Sequence, residues 1–161
     1  MNGVEADRSV PMRKMSILVA DGETLYRESI CAVVAGQQDM RVAGRARSTE
    51  ELVAKAEKYR PDVIFMEQAM DNGNAHSAVR ALKNDGRDVK VLLVSQFEDE
   101  AHIISGLMSG CDGYIPKRAS AVDLIAAARV VHSGGFYLYP SVARVVITEC
   151  VERSRSLKER E

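Results

Sequence analysis

The chain has 161 residues, enough for one domain with a hydrophobic core and too few for two ordinary domains. Apolar residues make up 46% and charged residues 28% of it, a balance that excludes a disordered or fibrous chain and predicts a globular domain. With 22 basic and 23 acidic residues the formal net charge is −1, which excludes a strongly basic protein built to bind nucleic acid or anionic membranes over its whole surface.

Residues 1–14 lack apolar periodicity and a hydrophobic signal segment, so we expect a disordered leader and a cytoplasmic protein. No later segment is long and apolar enough to predict a membrane span. The three cysteines are too scattered for a disulfide framework or a metal site, and we expect reduced thiols at Cys31, Cys111 and Cys150. No metal site is predicted from the histidines either, because they are isolated from one another at His76, His102 and His132.

Five short apolar segments alternate with five segments of helical period, the pattern of a parallel sheet covered by helices. The predicted strands are residues 15–20, 40–46, 63–66, 89–94 and 112–115, and the predicted helices lie near residues 23–36, 48–59, 74–85, 98–109 and 120–133. The third and fourth strands are continuously apolar, which predicts burial on both faces. The second strand instead carries alternating arginines, which indicates an exposed edge. The sequence therefore predicts an α/β domain over residues 15–139, followed by a linker helix over residues 140–161.

Polar side chains follow four of the predicted strands, namely Asp21, Glu67, Ser95 and Lys117. Ligands of open α/β sheets bind beyond the carboxyl ends of the strands, so we expect these groups to meet at one edge of the sheet. The simpler alternatives are a surface ion pair between Glu67 and Lys117 and a helix cap at Ser95.

The segments that carry these residues are ILVADGETLYRESICAVV, RPDVIFME, VKVLLVSQFEDE, GCDGYIPKRAS and HSGGFYLYPSVA. In order and spacing they resemble the receiver domains of the NarL/FixJ class of response regulators, over about residues 15–145. The resemblance implies a flavodoxin-like receiver fold, with a five-stranded parallel sheet in the order 2-1-3-4-5 and helices on both faces.

Receivers of this class accept a phosphoryl group on an aspartate after the third strand, with Mg²⁺ held by that aspartate and by an acidic pair after the first strand. By this resemblance Lys117 matches the lysine that stabilises the acyl phosphate, and Ser95 matches the hydroxyl residue that bonds a phosphoryl oxygen. Tyr114 matches the aromatic switch residue, and Asp21 matches the second member of the acidic pair.

Two positions depart from this pattern, because Ala20 replaces the first acidic residue and Glu67 replaces the phosphoacceptor aspartate. The missing carboxylate predicts weak or lost Mg²⁺ binding and hence no cofactor. The extra methylene of Glu67 moves its carboxylate by roughly 1.5 Å, which predicts poor attack on a phosphodonor. The displaced carboxylate is expected within reach of Ser95 and Lys117, as a partial mimic of a phosphoryl group.

The resemblance thus implies an atypical regulatory domain, not an enzyme, that acts as a homodimer without phosphorylation. The sequence does not decide which surface forms the dimer, and the first, fourth and fifth helices and the fifth strand remain the candidates. The C-terminal SLKERE resembles the start of the LuxR-type helix-turn-helix domain that follows such receivers, so DNA binding is expected through that further domain. Two alternatives remain: a pocket that binds a small-molecule ligand in space left by Ala20, and a conventional Mg²⁺-dependent phosphoacceptor at Glu67 or Asp21.

Overall fold

The computed structural model describes residues 12–70, 75–84 and 86–161, so most of the predicted leader lies outside the described residues. Its strands are β1 (Met15–Ala20), β2 (Met40–Ala46), β3 (Val63–Glu67), β4 (Lys90–Ser95), β5 (Gly113–Pro116) and β6 (Tyr137–Leu138). Its helices are α1 (Thr24–Ala35), α2 (Thr49–Tyr59), α3 (Ala75–Lys83), α4 (Glu100–Met108), α5 (Ala121–His132) and α6 (Pro140–Glu159).

The strands form one parallel sheet in the order β2-β1-β3-β4-β5-β6. The predicted α/β class and the order 2-1-3-4-5 are confirmed. The predicted number of strands is corrected from five to six by β6, whose Tyr137 and Leu138 pair with Gly113 and Tyr114 of β5. Two half-buried residues give no alternating pattern, so the sequence carried no signal for this strand.

The hydrophobic core consists of two clusters on opposite faces of the sheet. Residues of β1 alternate between them: Ile17 and Val19 pack with α1 and α5, whereas Leu18 and Ala20 pack with α2, α3 and α4. The β3 and β4 strands are buried on both faces, as predicted. Burying a large apolar side chain stabilises the fold by about 1.5–3 kcal/mol. The core on both faces therefore holds the strands in their register, and this register determines which polar residues meet at the carboxyl edge of the sheet.

Helix α6 is part of this core for its first two turns. Val142 is fully buried in the cluster that contains Ile103 of α4, and the half-buried Val145 and Val146 pack against the same cluster. From Ile147 onward the helix exposes most of its side chains. The predicted C-terminal helix therefore begins as a packed element and continues as an exposed one. None of the described helices combines the length and the apolar character needed to cross a membrane.

Candidate functional site

Strand register places the predicted polar residues next to one another. In the β1–β3 pair Ala20 lies opposite Met66, so the residues that follow them, Asp21 and Glu67, leave the sheet side by side. Lys117 comes directly after β5, and its backbone N–H donates to the Ser95 carbonyl at 2.8 Å. The edge predicted from strand ends is thus the edge at which these side chains meet.

Lys117 is the centre of the site. Its Nζ lies 2.7 Å from Glu67 Oε1, 2.9 Å from Asp21 Oδ2 and 3.0 Å from Glu23 Oε1. The same nitrogen lies 4.6 Å from the centroid of the Tyr26 ring, within cation–π range. Only 12% of the Lys117 side chain and 8% of the Glu67 side chain are exposed, so the simple surface ion pair is excluded in favour of a buried one.

Backbone groups of the loop after β1 hold the carboxylates in place. The N–H of Gly22 donates to Glu67 Oε2 at 3.4 Å, and the N–H of Glu23 donates to Asp21 Oδ1 at 2.7 Å. The buried Arg27 of α1 donates to the Asp21 carbonyl at 2.8 Å. The loop is therefore fixed at both carboxylates before any ligand binds.

The charges of the site act on one another strongly because they are partly removed from water. Burial raises the pKa of the Glu67 carboxyl; the hydrogen bond from Lys117 opposes this shift and the charge of Asp21 adds to it. Burial lowers the pKa of the Lys117 ammonium, but hydrogen bonds to the three carboxylates outweigh it, and the pKa lies above its usual value. Lys117 is therefore charged throughout the physiological range.

Ala20 is not brought to this group. It is buried on the face of the sheet that packs against α2 and α3, in a cluster with Leu18 and Met66. Where position 20 supplies no carboxylate, the loop after β1 supplies that of Glu23, which bonds to Lys117 together with Asp21. Sequence reasoning missed Glu23, although a carboxylate in the first loop after β1 was a visible signal.

Ser95 and Tyr114 meet at a neighbouring residue, Gln68. The Ser95 hydroxyl donates to Gln68 Oε1 at 2.8 Å, and the Tyr114 hydroxyl lies 2.7 Å from the same oxygen. The expected contact of Glu67 with Lys117 is present, whereas the Ser95 hydroxyl is directed to Gln68. Ser95 does not cap α4 either, because that helix begins with Asp99 as its N-cap.

The carboxylates fit a divalent cation in their chemistry. In the described part of the chain, oxygens of Asp21, Glu23 and Glu67 lie within 4.8 Å of one another. Carboxylate oxygens are ligands that Mg²⁺ and Ca²⁺ prefer. The ammonium of Lys117 is bonded to all three residues, so an added cation and Lys117 would compete for the same oxygens.

Three comparisons relate this chain to known proteins. It is 35% identical to the transcriptional regulatory protein DegU of Brevibacillus brevis over 143 residues, which are 89% of this chain and 61% of that protein. A LuxR-family two-component response regulator from Aurantimonas is similar in fold, with a TM-score of 0.80 and 18% identity over 86% of this chain and 99% of that one. The structure of two RcsB dimers bound to two parallel DNAs gives a TM-score of 0.73 and 16% identity over 82% of this chain and 66% of that one.

The chain spans about 61% of the length of its DegU relative, so the comparison covers one part of a longer protein. The family model of the response regulator receiver domain matches residues 17–129, which contain the whole Lys117 site, most of β1 and all of strands β2 to β5. With the fold, the strand order and this match in agreement, the chain belongs to the response regulator receiver domain family.

Proposed function

We propose that this chain is a regulatory receiver domain, without enzymatic activity, whose signalling does not depend on phosphorylation. The observation that carries the proposal is the buried 2.7 Å bond between Glu67, at the phosphoacceptor position, and Lys117. In such a pocket the acceptor carboxylate is already engaged with the cation that would otherwise stabilise an acyl phosphate.

The geometry of Glu67 disfavours phosphoryl transfer. Its Oε1 accepts from Lys117 and its Oε2 faces the N–H of Gly22, so both oxygens have partners. Attack on a phosphodonor needs an oxygen about 3–3.5 Å from phosphorus and aligned with the leaving group, and a carboxylate oriented by these two bonds would have to turn to reach that position. The Ser95 hydroxyl, which would bond the phosphoryl oxygen, is committed to Gln68. These contacts support a domain that does not use the family's usual chemistry.

Weak Mg²⁺ binding is part of the same proposal. Asp21, Glu23 and Glu67 would hold the ion, which supplies charge neutralisation during phosphoryl transfer when it is bound. Lys117 already provides one positive charge at hydrogen-bond distance from each of these residues. A divalent cation must disrupt those bonds and lose part of its own hydration, so we expect it to bind weakly.

The output of the domain is proposed from its relatives. DegU is named a transcriptional regulatory protein, and RcsB forms dimers on DNA. We propose that the full protein is a cytoplasmic transcriptional regulator, in which a receiver homodimer arranges DNA-binding domains that follow α6 on paired half-sites.

A small-molecule receiver is the second candidate, favoured by a cavity of about 90 Å³ beside Lys117. The cavity is lined by Tyr26, Pro116 and Leu124 among others. Typical metabolite pockets have volumes of about 300–1,000 Å³, so a ligand of that size would have to enlarge this one. Such a ligand would raise the melting temperature saturably.

The proposal is tested by incubating the protein with acetyl phosphate and Mg²⁺ and measuring its intact mass. We expect wild type to remain unmodified and Glu67→Asp, which restores the family's acceptor, to gain a labile phosphoryl adduct. An adduct on wild type would establish the conventional phosphoacceptor instead, and borohydride reduction followed by peptide mass mapping would identify the residue, Glu67 or Asp21, that carries it.

A further inference from the structure

We infer that Gln68 is a positioning residue that holds Ser95, Tyr114 and helix α4 in a single arrangement by taking the place of a phosphoryl oxygen. The regulatory role that we infer for Gln68 rests on the proposed function, in which no phosphoryl group reaches the pocket. The contacts of the Gln68 side chain do not involve the side chain of Glu67.

The carboxamide of Gln68 joins three elements. Its Oε1 accepts from Ser95 at the end of β4 and lies 2.7 Å from the Tyr114 hydroxyl of β5. Its Nε2 donates to the carbonyl of His102 in α4 at 2.6 Å. Gln68, Ser95 and Tyr114 are all buried, so each of these bonds replaces one that water would otherwise make.

Ser95 and Tyr114 also hold the loop between β4 and α4 in place. The Ser95 hydroxyl accepts from the N–H of Phe97 at 3.0 Å, while the Tyr114 hydroxyl lies 2.8 Å from the Phe97 carbonyl. The Phe97 ring stacks on the ring of His102, with centroids 3.8 Å apart. The loop that leads into α4 is thus held from both ends by residues that contact Gln68.

Gly106 of α4 provides the space for this arrangement. A Cβ added to Gly106 would lie 2.7 Å from Cε2 of Tyr114 and 3.0 Å from Nε2 of Gln68. Both distances are shorter than normal van der Waals contact, so a larger residue would force the Tyr114 ring or the carboxamide to move. Glycine at position 106 therefore leaves the space that the inward-facing Tyr114 ring occupies.

Helix α4 packs against the start of helix α6. Ile103 of α4 and Val142 of α6 are both fully buried in one hydrophobic cluster, which also contains Tyr114. Because close-packed cores transmit displacements, a shift in the position of α4 would also displace the start of α6. Gln68 is thus connected to the start of α6 through α4 and this cluster.

The test is ¹⁹F NMR of protein labelled with 3-fluorotyrosine, with the Tyr114 resonance assigned from Tyr114→Phe, together with hydrogen exchange of α4 amides. Gln68→Met keeps the side-chain length but removes the hydrogen bonds, and Gln38→Met is the matched exposed control. We expect the Tyr114 resonance of Gln68→Met to split or move toward its solvent-exposed position, and exchange in α4 to accelerate at least about tenfold. Gln68→Glu retains acceptor oxygens for Ser95 and Tyr114 but loses the donor to the His102 carbonyl, so exchange in α4 should accelerate in this variant as well.

Gly106→Ala provides a second approach, since it leaves Gln68 intact and should displace the Tyr114 ring in the same assay. A wild-type Tyr114 resonance and wild-type α4 exchange in Gln68→Met would overturn the inference. That result is separate from failure of the proposed function, which would be seen as a phosphoryl adduct on wild type.

Discussion

The Glu67 carboxylate and the Lys117 ammonium lie 2.7 Å apart, almost fully removed from solvent, at the carboxyl edge of the sheet. An ion pair in this setting is costly to break by removing one partner, because the remaining charge is left without compensation. Lys117 also bonds to Asp21 and Glu23, so the pair is the centre of a group of four charged side chains.

Replacing Lys117 with Met should reduce the free energy of unfolding by about 3–5 kcal/mol at neutral pH, because it leaves the carboxylates unpaired. Mg²⁺ should restore part of this loss by binding the carboxylates of the native state. Urea denaturation with and without Mg²⁺ measures both effects. Lys55→Met, which removes a partly exposed pair with Glu51 on the surface of α2, should cost less than about 1 kcal/mol. A loss of similar size in both variants would contradict the account.

Replacing Glu67 with Gln should change how stability depends on pH. Burial raises the pKa of the Glu67 carboxyl above its unfolded value, against the opposing hydrogen bond from Lys117. Since the native state then holds this proton more tightly, the resulting stabilisation is present below the unfolded pKa and is lost as pH rises through the folded pKa. The stability of Glu67→Gln relative to wild type should therefore increase across that interval.

Urea denaturation at a series of pH values measures this difference for Glu67→Gln. The exposed Glu57→Gln serves as the control and should give a smaller change. A relative stability of Glu67→Gln that falls with rising pH would show that the carboxyl has the opposite shift.

The packing of α6 predicts a contrast between two of its residues. Val142→Ala removes two methyl groups from a fully buried site and should destabilise the domain by about 1–3 kcal/mol. Ile147→Ala acts at a site that is 62% exposed and should change stability by less than about 0.5 kcal/mol. Thermal or urea unfolding gives both values. Equal effects would mean that α6 leaves the domain at Pro140 without joining its core.

The three cysteines should react with a thiol reagent at very different rates. Cys150 is exposed on α6, whereas Cys31 and Cys111 are buried. Burial raises the pKa of the Cys111 thiol to about 11, which lowers its thiolate fraction further. Under native conditions one thiol per chain should react rapidly, and Cys150→Ser should abolish that phase. Rapid reaction of two or three thiols would contradict the packing of the two core clusters.

Much of this fold was predictable because strand burial and helix periodicity leave a strong pattern. The continuously apolar β3 and β4 indicated a buried parallel sheet, and the polar residues after four strands predicted the meeting of Asp21, Glu67 and Lys117. The order of the strands was implied by the resemblance to receiver domains and not by these local patterns.

Other features of the site could not be predicted because they depend on loop conformation and long-range contacts. Glu23 was visible as a carboxylate in the first loop after β1, but its contact with Lys117 depends on the conformation of that loop, which no periodic pattern marks. Gln68 follows β3 directly and has no motif of its own, yet its partners lie 27, 34 and 46 residues away in the chain. Ala20 was assigned to the pocket by its place before Asp21, but alternation along β1 turns it to the other face.

The central claim is that this receiver signals without phosphorylation, and the molar mass in solution tests it most directly. Light scattering over a range of concentrations would compare wild type and Glu67→Ala, each with and without Mg²⁺ and beryllofluoride as the phosphoryl analogue. The account predicts a wild-type dimer whose mass is unchanged by either addition. A wild-type monomer that dimerises only when Mg²⁺ and beryllofluoride are both present would contradict it.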